Sequence, residues 1–238
     1  MSGHSKWNNI KNTKAKSDAQ KSKIYTKIGR EIAVAVKAGG TDPEINNKLA
    51  DVILKARQNN MPNDTIMRSI KKAGGEGSGD NYEEVIYEGY GPGGSAVIVQ
   101  CLTDNKNRTA GDVRHLFDKY GAGLGTTNSV AYMFSRKGVF VVSSEISEDE
   151  MFEKIIEIGA DDFKKEDETY IIYSSLENFH AVKTAIQQES SLKIESASID
   201  YVPNIEMELL PENEEKFETL IEMLEELDDV QEVYYNVK

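Results

Sequence analysis

The run Gly74-Gly75-Glu76-Gly77-Ser78-Gly79 constrains the fold of this chain more than any other stretch, because its glycines favour neither helix nor sheet and the chemistry reverses across it. Residues 1–75 carry 15 Lys and Arg against 6 Asp and Glu, a net of +9, whereas residues 76–238 carry 13 against 35, a net of −22. The spacing of apolar residues changes at the same place, from a helical period to a mixture of strands and helices. At least two separately packed parts are therefore predicted, each meeting different surroundings.

In the basic part, Ser17 followed by Gln20 makes a capping box and Gly39-Gly40 a stop, which predicts a helix over Asp18 to Ala38. At about 100° per residue, Ile24, Ile28, Ile32 and Val36 share one face, and Lys23, Lys27, Arg30 and Lys37 crowd another. The apolar stripe is expected to dock and the cationic stripe to face outward. Asp42-Pro43 predicts the start of a second helix with Leu49, Val52, Ile53 and Ala56 inward; a third, Asp64 to Ala73, buries Ile66 and Ile70. Helices this short need one another, so the three imply a small helical domain. Ahead of them, Gly3-His4-Ser5-Lys6-Trp7 has no helical apolar period and holds the one Trp of the chain, as expected of an arm that orders on a partner.

A basic run can be a solvated tail. Cations gathered on one helical face of an otherwise acidic protein point instead to an anionic partner, and nucleic acid is the commonest. The candidate contacts are Lys6, Trp7, Lys11, Lys14, Lys16, Lys21, Lys23, Lys27, Arg30, Lys37, Arg68, Lys71 and Lys72. The stripe is richer in Lys than in base-reading Asn, Gln or Arg, which favours backbone contacts. The acidic remainder would repel the same polyanion and is expected to be available to a protein partner.

Beyond the glycine run, Val85 to Glu88 and Ser95 to Leu102 read as strands around a glycine turn, Lys106 to Tyr120 as a helix, and Val130 to Phe134 as a strand. Then follow a strand (Gly138 to Ser143), a helix (Glu148 to Ile158), two strands (Asp162 to Lys165, Thr169 to Tyr173), a helix (Leu176 to Gln188) and a strand (Lys193 to Tyr201). That order, βαββαβ, is the ferredoxin-like unit. Strand Ile205 to Leu210, helix Glu212 to Leu227 and strand Val230 to Val237 form half of another, and Ser95 to Phe134 supplies the other half. The expected class is thus α+β: a three-helix domain followed by two ferredoxin-like domains, one inserted into the other. The boundaries are 1–79, then 80–135 with 204–238, and 136–203. A string of consecutive αβ units would instead leave half-sheets with exposed edges.

Catalytic and metal constellations are not found in the sequence. Gly89 to Gly94 matches G-x-G-x-x-G, but Pro92 interrupts it and a strand follows where a dinucleotide site needs a helix, so it is read as a turn. One cysteine, Cys101, lies in the apolar run Val97 to Leu102 and reads as a buried structural thiol in a reducing compartment; pairing it with His115 as nucleophile and base has only their presence to support it. The three histidines lack zinc-ligand spacing. Glu222, Glu225, Glu226, Asp228 and Asp229 read as a solvated acidic face. No apolar run approaches the roughly 20 residues of a membrane span. The expectation is a soluble, cytoplasmic protein without cofactor, its oligomeric state open.

Several ordered motifs, GHSKW (3–7), KIYTKIGREI (23–32), NNMPNDTI (59–66), YEGYGPGG (87–94), DNKNRT (104–109), VRHLF (113–117) and SVAYMF (129–134), together give a chain that resembles the YebC/PmpR family over essentially its whole length. The resemblance implies a helical domain and two α+β domains, and a transcriptional regulator that binds DNA. It also implies an alternative, since a mitochondrial relative activates translation of cytochrome c oxidase and bacterial members are linked to the ribosome: a translation factor contacting ribosomal or messenger RNA. It carries over no catalytic residue. A metabolite sensor, using the interface of two ferredoxin-like domains, is a third class.

Overall fold

The structure, a computed structural model, describes residues 18–75 and 81–238. The arm with Lys6, Trp7, Lys11, Lys14 and Lys16, the Ser17 cap and the linker from Glu76 to Gly79 lie outside the described residues. Three helices come first: α1 (Asp18–Gly39), α2 (Asn47–Gln58) and α3 (Asn63–Gly74). They close around Ile28, Ile32, Leu49, Ala56, Ile66 and Ile70. Each large aliphatic side chain buried there contributes about 1.5 to 3 kcal/mol, which supplies what such short helices lack alone.

The second helix starts later than Asp42-Pro43 suggests. The Asp42 carbonyl accepts the Asn46 N–H (3.0 Å) and its side chain accepts the Glu44 N–H (2.9 Å), so this segment is a turn. The cap is Asn46, which is buried: its Oδ1 accepts the Leu49 N–H (3.0 Å), and its amide donates to the carbonyls of Ala35 (2.9 Å) and Gly40 (2.8 Å). One side chain therefore finishes α1 and begins α2, satisfying orphan groups of both.

The chain then forms β1 (Glu83–Tyr90), β2 (Ala96–Thr103), α4 (Lys106–Tyr120) and β3 (Gly123–Leu124), and later α7 (Pro211–Glu226) and β8 (Val230–Tyr235). The sheet order is β3-β1-β2-β8, all neighbours antiparallel. Residues far apart in sequence thus share one sheet, and α4 and α7 cover it with Val113, Phe117, Phe217, Leu220 and Leu224 over Val97 and Val99. The glycine motif between β1 and β2 is a tight turn in which Gly93 and Gly94 take φ of 69° and 80°, a region that other residues enter at a cost.

Two expected strands are absent from this sheet. Glu88, buried on β1, accepts the backbone N–H groups of Asn128 (2.7 Å), Val130 (2.9 Å) and Ala131 (2.7 Å). Those donors cannot also join a ladder, so the chain at Ala131–Met133 is a 3-10 turn and the strand begins only at Phe134. Ile205 to Leu210, flanked by Pro203 and Pro211, is left with a single bridge, Met207 to Val237; the place beside β2 is taken by β1, paired over eight residues.

The remaining elements are β4 (Phe134–Ser143), α5 (Glu148–Ile158), β5 (Asp162–Glu166), β6 (Thr169–Ser174), α6 (Phe179–Gln188) and β7 (Lys193–Pro203). Their sheet order, β5-β6-β4-β7, is that of a contiguous ferredoxin-like βαββαβ unit. Ser147 and Glu150 form the capping box of α5, and Gly159 ends it in the left-handed region. Phe140, Met151, Tyr170, Ile172, Phe179 and Ile186 fill the core. The chain is α+β, a helical part followed by two α+β layers, one inserted in the other. Contacts divide it into two compact units, Tyr132–Glu206 and the described residues before Tyr132 together with Met207–Lys238.

Candidate nucleic-acid interface

The cationic face of α1 does not stand free, and the outward placement expected for it is corrected here. Lys23 is paired with Glu226, Lys27 Nζ donates to the Glu225 carbonyl at 2.8 Å, and Arg30 Nη1 is paired with Asp229 and donates to the Leu102 carbonyl at 3.1 Å. Lys37 donates to Asn81 Oδ1. The reason is charge complementarity: the end of α7 presents Glu225, Glu226 and unsatisfied helix carbonyls, a site that attracts cations. On α2, Lys55 adds a bridge to Glu31 (2.8 Å) and Glu232 (3.2 Å), whose carboxylates outweigh the effect of burial and raise its ammonium above the usual range. Burial lowers Lys27 in spite of Glu232 and Glu225.

Asp229 is the centre of this contact. Besides Arg30 it accepts from Arg108 Nη2 (2.9 Å), Thr109 Oγ1 (2.6 Å) and Thr103 Oγ1 (3.2 Å), and its side chain is only 9% exposed. Burial pushes its carboxyl up, but the hydrogen bonds from Thr109, Arg108 and Arg30 outweigh that and hold it at about 2. The carboxylate read as part of a solvated acidic face is thus a structural anchor. Cys101 is fully buried, and burial with Asp229 nearby pushes its thiol up to about 12, so at neutral pH it is a protonated apolar filler.

Beside the stripe lies a groove of about 380 Å3 between α1 and α3, lined also by Tyr82. Its α1 wall is Ser22, Thr26, Gly29 and Ala33, spaced so that all fall on one helical face, with Arg30 and Lys37 at the edge; Thr65, Ser69 and Lys72 of α3 face them. The Arg30 guanidinium sits 5.4 Å from the Tyr82 ring centre, and its Nε is buried without an acceptor. Tyr25 donates to the Asn60 carbonyl at 2.7 Å, bracing α1 on the α2–α3 turn.

Of the residues singled out in the sequence, the structure brings Arg30, Lys37 and Lys72 together at this groove, turns Lys23 and Lys27 onto α7, and leaves Arg68 and Lys71 exposed on α3 and Lys21 half-buried on α1. Sequence reasoning missed Ser22, Thr26, Gly29, Thr65, Ser69 and Tyr82. The available signal was Ser22/Thr26/Gly29/Ala33 on one face of α1 and Thr65/Ser69, four apart, on α3. Among the described residues no helix is long and apolar enough to cross a membrane.

Two family models match the chain: "TACO1/YebC protein N-terminal domain" over residues 5–76 and "TACO1/YebC second and third domain" over 82–237. A probable transcriptional regulatory protein of Acetivibrio thermocellus is 56% identical over 239 residues, covering 99% of this chain and 98% of the relative. Another so named, from Thermoanaerobacter pseudethanolicus, is 52% identical, covering 100% and 97%. The crystal structure of a conserved hypothetical protein from Aquifex aeolicus, 45% identical, superposes with a TM-score of 0.84 over 94% of this chain and 93% of its own.

Proposed function

The chain belongs to the TACO1/YebC family, and from that premise we propose that it is a nucleic-acid-binding regulator of gene expression, a DNA-binding transcriptional regulator that uses its basic helical domain. The observation that carries this reading is the charge division, +9 over residues 1–75 against −22 over the rest. A polyanion is drawn to the first part and repelled by the second. The name shared by the relatives, probable transcriptional regulatory protein, supports the same reading.

The residues proposed to meet phosphate are Lys6, Trp7, Lys11, Lys14 and Lys16 on the arm, Lys21 and Lys37 on α1, and Arg68, Lys71 and Lys72 on α3. Lys23 and Lys27 join them only by exchanging their present partners on α7, while Arg30, held by Asp229, has its Nε–H without an acceptor. The proposal includes the three-domain division at 1–79, 80–135 with 204–238, and 136–203. Ultraviolet crosslinking of the full chain to duplex DNA, with the adducts mapped by mass spectrometry over a salt series, tests it. Adducts within residues 1–75 and an affinity that falls steeply with salt are expected. Adducts confined to residues 136–203, or no binding at low salt, would overturn it.

A further inference from the structure

We propose that the groove between α1 and α3 is a phosphate-binding site that seats a phosphodiester of a nucleic-acid strand. The source of the phosphate rests on the function proposed above; the chemistry of the site rests on the groove alone. Thirteen of the described residues line it, among them Arg30, Lys37 and Lys72 and no carboxylate, in a chain that holds 41 Asp and Glu. Among the described residues the hollow is lined by Lys37, Lys72 and the Asp229-paired Arg30 and by no acid, and in so acidic a protein such a lining selects anions by exclusion as well as attraction.

The cations are placed rather than merely present. Lys37 is held by a neutral amide, Asn81, so that contact leaves its charge uncompensated. Arg30 is fixed by Asp229 through Nη1 and by the Tyr82 ring, while its Nε–H has no acceptor. Both walls also carry hydroxyls. Thr26 donates to the Ser22 carbonyl (3.0 Å) and Ser69 to the Thr65 carbonyl (3.0 Å), bonds to carbonyls that the helix already uses. Rotating those hydroxyls toward a phosphate oxygen therefore gives up little.

Gly29 is the independent observation. Glycine inside a helix is unfavourable relative to alanine, and it is usually kept because a neighbour packs close. Here a Cβ built on Gly29 meets no heavy atom within 4 Å. Among the described residues no packing partner asks for the glycine; what its missing side chain leaves is room along the α1 wall of the groove. The groove as a whole, about 380 Å3, lies in the range of about 300 to 1,000 Å3 usual for ligand sites.

The test uses the full chain and a short fluorescein-labelled single-stranded oligonucleotide, followed by anisotropy over a salt series. Gly29→Leu, which changes no charge, and the pair Lys37→Gln with Lys72→Gln are compared with a control of equal charge, Lys48→Gln with Lys216→Gln. Thermal melting confirms that each is folded. Gly29→Leu is expected to weaken binding by about tenfold, the lysine pair to flatten the salt slope by about 1.4, and the control to change affinity less than about twofold. A second arm follows amide resonances of the wild-type chain as inorganic phosphate is added. If the oligonucleotide binds but neither groove variant weakens it, the groove inference is overturned and the proposed function survives. If no oligonucleotide binds, while phosphate shifts Gly29 and Ser69 in the wild type and not in Gly29→Leu, the site stands with free phosphate as its source and its use for a nucleic-acid strand is overturned. Absence of both responses overturns the site.

Discussion

On one side of α1, Lys23, Lys27 and Arg30 meet carboxylates and carbonyls contributed by residues about 200 positions further along the chain; on the other, Ser22, Thr26 and Gly29 line open space. The first side is full of charge and spends it inside the molecule. The second carries Lys37 and Lys72 besides the shared Arg30, and has no acidic group among its described lining residues. Net charge over a segment therefore measures what a surface can attract, and only the partners of each cation show where the attraction is used.

The comparison breaks most directly at Asp229. Asp229→Ala removes the acceptor shared by Arg30, Arg108, Thr103 and Thr109, leaving Arg30 without its counter-ion. A loss of about 3 kcal/mol is expected in urea unfolding, at the low end for a broken buried pair because Arg108 is nearly half exposed. An unchanged midpoint would show that the contact between α1 and the α7–β8 corner holds nothing. The same carboxylate sets an acid response in the wild type. Its folded value, about 2, lies below the unfolded value of about 3.9, so its contribution is complete above about pH 4 and is lost as the pH falls through 2. Asp229→Ala should lack that part of the acid transition.

A smaller effect is expected from Lys23→Gln with Lys27→Gln. Lys23 and Glu226 are both well exposed and Lys27 contacts a carbonyl, so the pair should cost about 0.5 kcal/mol per residue and leave the chain folded. If these lysines are committed to α7, the double change alters oligonucleotide affinity less than Lys37→Gln with Lys72→Gln does. The reverse order would mean that the paired side opens to bind.

Local signals made much of the fold legible. Ser147 with Glu150 and Gly159 delimit α5, and the alternation of short strands and helices from Phe134 to Pro203 gives its ferredoxin-like order. What escaped depends on partners distant in sequence. The donors of Asn128, Val130 and Ala131 are taken by Glu88 some 40 positions earlier, which no strand pattern reveals. Asn46 rather than Asp42 caps α2 because it also reaches Ala35 and Gly40. The cationic stripe was correctly placed on one helical face, but its facing charges lie beyond residue 220. The groove was overlooked because its small residues on α1 carry no charge.

Lysine reactivity tests the division of α1 most directly. The full chain is pulsed with an acetylating reagent, with and without a single-stranded oligonucleotide, and each lysine is quantified by mass spectrometry. The oligonucleotide is predicted to protect Lys37 and Lys72 while leaving Lys23 and Lys27 as they were. Protection falling on Lys23 and Lys27 and not on Lys37 and Lys72 would contradict the division.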